Sequence, residues 1–292
     1  MKILILYFSG TGNTKFVAEQ ISRRLLDRGY STRCESIENF EPEEVKSYDF
    51  LVFGYPVYGY EMPDFVKSYA RQIPPPSSRG VILYSTMAYS SGNSLRNSAE
   101  LFIDNDFLVV NTETFLMPGN DHLIITKRDS KFAKRVLATD YTAVRELNNS
   151  IAKILERIDY LSEKGVGQED VCLPDRNLLY LLLTPLMRLI FGVIKKTVVK
   201  RFKVDENCLD CGICEKICPA DNIVIRDGRV EFGNNCYLCL RCINQCPVEA
   251  IQITKFTEGK FRYKGPTGNY IPAALEADPD SDQDLSSNIY GA

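Results

Sequence analysis

Short apolar runs alternate with amphipathic segments along the N-terminal part of the chain. Residues 2–8 form a nearly continuous apolar run, which is typical of a strand buried on both faces. From Asn13 to Gly29 the apolar residues recur at helical spacing, which predicts a helix. Further strands are predicted at 31–37, 50–54, 81–85 and 107–115, and further helices at 63–73 and 93–103. This alternation predicts an α/β fold with a doubly wound, five-stranded parallel sheet, in which the mixed polarity of 31–37 suggests an edge strand.

The pattern changes after residue 130. One or two amphipathic helices are predicted over 130–164, a very apolar segment spans Leu178 to Ile194, and eight cysteines follow. We therefore divide the chain into an α/β domain, a linker with an apolar helix, a small α+β cysteine domain and a C-terminal extension, at 1–165, 166–201, 202–255 and 256–292. The extension ends in a polar, acidic stretch that we expect to be disordered.

The overall charge and the N-terminus narrow the classes of function. A net charge of −3 over 292 residues gives no reason to expect nucleic acid as a partner. The N-terminal apolar run is short, lacks a small-residue cleavage site and leads into a glycine-rich loop, so we interpret it as a strand rather than a secretory signal. We therefore expect a cytoplasmic protein, whose thiols stay reduced.

An internal repeat carries eight of the ten cysteines. Residues 202–225 align with 230–253 at an offset of 28, and each copy contains the pattern C-x2-C-x2-C-x3-C-P. Three cysteines at this spacing ligate three irons of one [4Fe-4S] cluster, while the fourth reaches the other cluster. Zinc sites usually use two separated C-x2-C pairs, and disulfides are unfavourable in a reducing compartment. The pattern predicts two [4Fe-4S] clusters, the first on Cys208, Cys211, Cys214 and Cys246 and the second on Cys236, Cys239, Cys242 and Cys218. This segment resembles the bacterial two-cluster ferredoxins.

The stretch SGTGNT directly follows the first predicted strand. It is not a P-loop, because no Gly-Lys-Ser/Thr follows its glycines, and it lacks the third glycine of the dinucleotide-binding fingerprint. It is similar to the phosphate loop of flavodoxins, in which the start of a helix receives the phosphate of FMN. The resemblance implies that backbone N–H groups and hydroxyls face the phosphate, aided by the helix dipole. The residues so implied are Ser9, Gly10, Thr11, Gly12, Asn13 and Thr14.

The flavodoxin resemblance also implies flavin contacts from the loops after the third and fourth predicted strands. Each loop offers tyrosine to lie against the flavin ring, and the chain contains no tryptophan. Tyr58 and Tyr89 are our preferred ring contacts, with Tyr60 in reserve; the alternative for each is an exposed loop residue. The implied set is Pro56, Val57, Tyr58, Gly59 and Tyr60, together with Thr86, Met87, Ala88, Tyr89 and Gly92.

The order of these segments over residues 1–255 resembles the EFR1 family of fused flavodoxin–ferredoxin proteins. The resemblance implies an iron–sulfur flavoprotein that carries electrons between two [4Fe-4S] clusters and FMN and exchanges them with protein redox partners, such as a ferredoxin or an oxidoreductase. The alternative is an FMN-dependent oxidoreductase that reduces a small acceptor, such as a quinone, a nitro compound or oxygen, with electrons supplied through the clusters. The sequence does not decide between carrier and enzyme, although the lack of a recognisable nicotinamide site favours the carrier.

The apolar segment invites a membrane interpretation. It is shorter than the about 20 residues of a spanning helix, and Pro185 and Arg188 interrupt it. Basic residues that favour an anionic lipid surface follow it, namely Lys195, Lys196, Lys200, Arg201 and Lys203. We nevertheless expect it to pack between the two domains or between the protomers of a homodimer, with peripheral membrane contact as the alternative.

Overall fold

The computed structural model describes residues 1–276, which divide by their contacts into two units. The sheet unit comprises 1–9, 13–117 and 141–188, and the cysteine unit comprises 10–12, 118–140 and the residues from 189 onward. The predicted boundary at 165 differs from this division, because 118–140 group with the cysteines. The acidic end that we expect to be disordered lies outside the described residues from position 277 on.

The sheet unit contains the five-stranded parallel sheet that the sequence predicts, and this prediction is confirmed. The strands are β1 (Lys2–Tyr7), β2 (Ser31–Ser36), β3 (Phe50–Pro56), β4 (Gly80–Met87) and β5 (Leu108–Leu116). Their order is β2-β1-β3-β4-β5, and all neighbours are parallel. The strand of mixed polarity, β2, lies at an edge as expected. The direction of winding reverses between β1 and β3, which makes this the switch point where ligands bind in open α/β sheets.

Helices cover both faces of the sheet, which explains why the inner strands are apolar throughout. On one face, α1 (Asn13–Leu26) and α6 (Arg145–Lys164) share a core with β-strand residues such as Val52. The next residue, Phe53, points to the other face and meets Phe102 of α3 (Ser94–Asp104), with ring centroids 5.2 Å apart. The sheet unit also contains α2 (Asp64–Ala70) and short 3-10 helices at Pro42–Ser47, Tyr141–Ala143 and Gln168–Asp170.

The cysteine unit is built from short elements. Two antiparallel strand pairs join β6 (Lys203–Val204) to β9 (Ile251–Gln252) and β7 (Ile223–Arg226) to β8 (Arg229–Phe232). Its helices are α4 (Asn120–Leu123), α5 (Lys131–Ala138), α8 (Ile213–Lys216), α9 (Arg241–Gln245) and α10 (Ala273–Glu276). The region predicted to hold one or two helices thus contains two, α5 and α6.

The apolar segment forms α7 (Leu178–Val199), a helix of 22 residues that is long and apolar enough to cross a membrane by length and composition alone. Nine of its large apolar side chains are exposed, and none of its most apolar 18-residue window is buried. The expectation that this helix packs between the two domains or between protomers stays a prediction.

Candidate functional site

Four cysteines line one cavity of the cysteine unit. Three of them come from the first repeat, and the fourth comes from the end of the second repeat. Apolar side chains, including Ile213, Ile225 and Ile251, line the rest of the wall. The cysteines are Cys208, Cys211, Cys214 and Cys246.

The other four cysteines of the repeats line a second cavity. Here three cysteines come from the second repeat and the fourth from the first, and Phe202 and Leu240 contribute to the wall. The cysteines are Cys218, Cys236, Cys239 and Cys242. The structure thus brings the eight residues together in the same two groups that their spacing predicts.

The backbone repeats the same unusual conformation in both copies. Non-glycine residues seldom adopt positive φ, and such residues cluster at functional loops. Three pairs of residues with positive φ are separated by the repeat offset of 28, namely Asp210 and Leu238, Gly212 and Leu240, and Asp221 and Glu249. The two loops therefore turn in the same way around their cavities.

Backbone amides also donate to cysteine sulfurs at equivalent positions. The N–H of Asn222 lies 3.3 Å from Cys218 Sγ, and the N–H of Ala250 lies 3.2 Å from Cys246 Sγ. Hydrogen bonds of this kind adjust the potential of a bound cluster. Burial raises the pKa of the Cys214 thiol to about 11 and that of Cys239 to about 12, so a metal that binds these sulfurs must displace protons.

The donor chemistry fits iron–sulfur clusters. Each cavity offers four sulfurs, the ligand number of a [4Fe-4S] cluster. Within residues 1–276, no group of three or more His, Cys, Asp or Glu side chains is arranged around a single metal ion. That these cysteines are cluster ligands stays a prediction.

The start of α1 is fixed to β4 within the sheet unit. Thr14 Oγ1 lies 2.9 Å from Thr86 Oγ1, and the Tyr84 hydroxyl donates to the carbonyl of Thr14 at 3.0 Å. Tyr84 needs the glycine at position 54, because a β-carbon there would lie 1.9 Å from its Cζ. The first turn of α1 contains no acidic residue, so the N–H groups and the dipole at this helix start favour an anion.

The middle of the SGTGNT loop belongs to the cysteine unit. Thr11 is buried, and its hydroxyl accepts a hydrogen bond from Asn120 Nδ2 at 3.2 Å. The same Asn120 nitrogen donates to the carbonyl of Cys239 at 3.0 Å. Arg241, which is fully buried, donates to the carbonyls of Gly10 at 3.3 Å and Ile217 at 2.9 Å. The loop is thereby connected to residues beside the second cavity.

Gly12 is in close contact with the C-terminal segment. Its φ is +101°, and a β-carbon at this position would lie 2.9 Å from Tyr270 Cβ and 3.1 Å from Gly265 Cα. Gly265 is itself constrained, since its own β-carbon would lie 2.8 Å from Tyr270 Cβ. The hydrogen-bond donors of the loop fit a phosphate, but Tyr270 and Gly265 occupy part of the space that a side chain at Gly12 would fill.

The two loops predicted to contact a flavin ring follow β3 and β4 in the sheet unit. Tyr58 and Glu61 exchange backbone hydrogen bonds of 2.9 and 3.1 Å across a tight turn that contains Gly59 and Tyr60. A β-carbon on Gly92 of the second loop would lie 2.9 Å from Tyr60 Cβ, so the structure brings these loops together. Tyr58 is half-buried, whereas Tyr89 is 72% exposed. Their contact with flavin stays a prediction.

Sequence reasoning missed several residues of this region. Tyr180 of α7 packs on Tyr60 with ring centroids 5.1 Å apart, and its hydroxyl lies 2.8 Å from Ser90 Oγ. Asn120, Arg241 and Tyr270 were also missed, because they are distant in sequence from the loop and none of them occupies a defining position of a motif. The only available signal was the positive charge of Arg241 inside an otherwise uncharged cysteine run.

The N-terminal part of the chain is a flavodoxin-like domain. Residues 4–114 match the family model described as "Flavodoxin domain". The chain is 26% identical over 123 residues to a flavodoxin from Clostridium beijerinckii, covering 40% of this chain and 86% of that protein.

Solved flavodoxins are among the similar structures. One from the domain Archaea is 16% identical, with a TM-score of 0.40, and the match covers 56% of this chain and 99% of that one. Two-electron reduced Megasphaera elsdenii flavodoxin is 25% identical, with a TM-score of 0.36 and coverage of 40% and 89%.

Proposed function

We propose that the protein is an iron–sulfur flavoprotein that carries electrons between two [4Fe-4S] clusters and one FMN and exchanges them with protein redox partners in the cytoplasm. The observation that carries the proposal is the pair of four-cysteine cavities, each completed by a cysteine of the other repeat. They occur in a chain whose N-terminal domain is flavodoxin-like. When bound, the clusters exchange single electrons and the flavin exchanges one or two.

The loop between β1 and α1 supplies the groups that would hold the FMN phosphate. Flavodoxin-like sheets bind FMN at the β1/β3 switch point, and this loop follows β1. Ser9, Thr11 and Thr14 have buried side chains with hydroxyl donors, and the N–H groups at the start of α1 add to them. No lysine is required, because the phosphate is held rather than transferred.

The contacts of the two cavities suggest different roles for the two clusters. Cys211 of the first cavity is exposed, whereas Cys239 of the second is buried. Asn120 and Arg241 connect the surroundings of the second cavity to the phosphate loop. We therefore assign electron exchange with a partner protein to the first cluster.

Anaerobic cofactor analysis tests the proposal. The purified chain should contain about eight iron, eight sulfide and one FMN, and C214S should lose iron while C172S, the matched control outside the repeats, keeps it. Zinc in place of iron, or full iron content without FMN, would contradict it. Rapid flavin reduction by a reduced ferredoxin supports the carrier, whereas saturable turnover of a quinone or nitro compound at a higher rate would favour an enzyme.

A further inference from the structure

Helix α7 carries a continuous apolar stripe on its outward surface. Leu178, Leu182, Leu186, Leu189 and Val193 recur at intervals of three and four residues and are 52–78% exposed. At 3.6 residues per turn these positions fall on one face of the helix, and exposed Leu179 and Ile190 widen it. The stripe has the width of a face that normally packs against a core, yet its side chains are exposed.

The other side of the helix is fixed at both ends. In the first turn, the Tyr180 ring packs on Tyr60 and its hydroxyl forms a hydrogen bond with the Ser90 hydroxyl, both within the sheet unit. In the last turn, Val199 is buried and Val198 packs on the core of the cysteine unit. Rotating either end of the helix to bury the stripe would break the contacts that this end makes within its own unit.

Positive charge accompanies the stripe. Residues 176–204 contain seven basic and no acidic residues, in a chain whose net charge is −3. Lys196 and Lys200 directly follow the stripe and are exposed, as are Arg201 and Lys203. An apolar helix face next to basic residues is complementary to anionic lipid, whose head groups attract the charges while its acyl chains accept the leucines.

The chain path excludes a membrane-spanning orientation. A single span would separate the residues before α7 from those after it. Within the cysteine unit, however, Ala133 and Val136 share a core with Phe261 and Tyr263, and the N–H of Phe261 donates to the carbonyl of Thr126 at 2.9 Å. Both ends of α7 must therefore lie on the same side of a bilayer.

We propose that α7 is an interfacial helix that docks the protein on an anionic lipid surface, with its leucine stripe at the acyl boundary and its basic end at the head groups. The proposal does not rest on the electron-carrier function, since neither the cysteine cavities nor the phosphate loop enters the argument. In this proposal the apolar stripe of α7 binds a membrane surface rather than a second copy of the chain.

Vesicle flotation of the anaerobically purified full chain tests this assignment. Vesicles of phosphatidylcholine with 30% phosphatidylglycerol are compared with pure phosphatidylcholine vesicles at low and high salt. L182E/L189E removes the centre of the stripe, and L26E/L137E changes two comparably exposed leucines elsewhere. K196Q/K200Q removes two basic residues, and K46Q/K153Q is its charge-matched control.

We expect binding to the anionic vesicles that weakens with salt, is lost in L182E/L189E and is kept in L26E/L137E. K196Q/K200Q should bind roughly 25-fold more weakly, at about fivefold for each basic residue near the surface, while K46Q/K153Q stays within a factor of two to three. Absence of binding by the unaltered chain, or equal binding by both leucine variants, would overturn the proposal. A dimer in sedimentation experiments that L182E/L189E dissociates, without lipid binding, would assign the face to a second copy instead.

Discussion

Replacing Arg241 by methionine tests the connection between the second cysteine cavity and the phosphate loop. The guanidinium is fully buried and donates to the carbonyls of Gly10 and Ile217. Methionine fills a similar length with an apolar chain but donates no hydrogen bond. R241M therefore removes both bonds and leaves the cavity wall largely filled.

The expected loss of unfolding free energy follows from the two carbonyls, of Gly10 and Ile217, that lose their hydrogen-bond donor. A buried polar group that loses its partner costs about 1–3 kcal/mol, and two such groups cost about 2–6 kcal/mol. Removing a buried charge recovers part of this, so we expect the unfolding free energy of the cysteine unit to fall by about 3 kcal/mol. Because Gly10 loses its anchor in the loop, FMN affinity should fall about tenfold, which corresponds to about 1.4 kcal/mol.

Arg262 provides the matched control in the same unit. It is 6% exposed and donates to Gln252 Oε1 at 2.9 Å and to the carbonyl of Thr257 at 3.0 Å. Burial lowers its pKa to about 10, which indicates a costly buried charge, so R262M, like R241M, recovers part of the stability that its lost hydrogen bonds cost. Its FMN affinity should stay within twofold of the unaltered chain.

Anaerobic urea unfolding, followed by cluster absorbance, measures the stability of both variants, and quenching of flavin fluorescence measures FMN affinity. Equal loss of FMN affinity in R241M and R262M would refute the role of Arg241 at the loop, since a general loosening of the unit would then explain both. Unchanged stability of R241M would refute the energetic argument.

Three further predictions concern the cysteines, the sheet and its surface. C246S and C208S should each disrupt the first cluster, so after reduction both variants should show the same EPR signal, that of the second cluster. Two different signals would contradict the assignment of both cysteines to one cluster. G54A should destabilise the sheet unit by about 1–3 kcal/mol or more through overpacking, since its β-carbon would lie 1.9 Å from Tyr84 Cζ. In urea unfolding, Y84L should lower the unfolding free energy less in the G54A background than in the unaltered chain. If the two losses simply add, the clash between these residues is refuted. A hydrogen bond from Arg96, one turn away, is the main cause of a lowered pKa of Glu100. The ionised carboxylate therefore stabilises the fold fully above the ordinary pKa of about 4.3, and this contribution is lost as the pH falls through the lowered pKa. E100Q should cost less than about 1 kcal/mol at pH 7 and flatten the decline of the melting temperature between pH 5 and 3; an unchanged decline would argue against this pair.

The sheet was predictable because parallel strands buried on both faces leave continuous apolar runs in the sequence. The grouping of the cysteines was predictable because local spacing and the repeat together specify it. Residues 118–140 were assigned to the other unit, since the amphipathic pattern of α5 shows that one face is buried but not against what. Its Val136 packs against Phe261 and Tyr263, and no local pattern encodes such a distant contact. For the same reason the apolar pattern predicted helix α7 but not that its stripe would stay exposed.

Gly12 shows how a correctly chosen residue can have a second physical role. The loop pattern explained it as one of the residues whose backbone N–H groups face the phosphate. In the structure, its bare α-carbon also admits Tyr270 and Gly265, and at a φ of +101° any L-residue would be strained. G12A should therefore destabilise the FMN-free protein as well as weaken FMN binding. A variant that binds FMN poorly but unfolds in urea like the unaltered FMN-free chain would show that the phosphate alone requires this glycine.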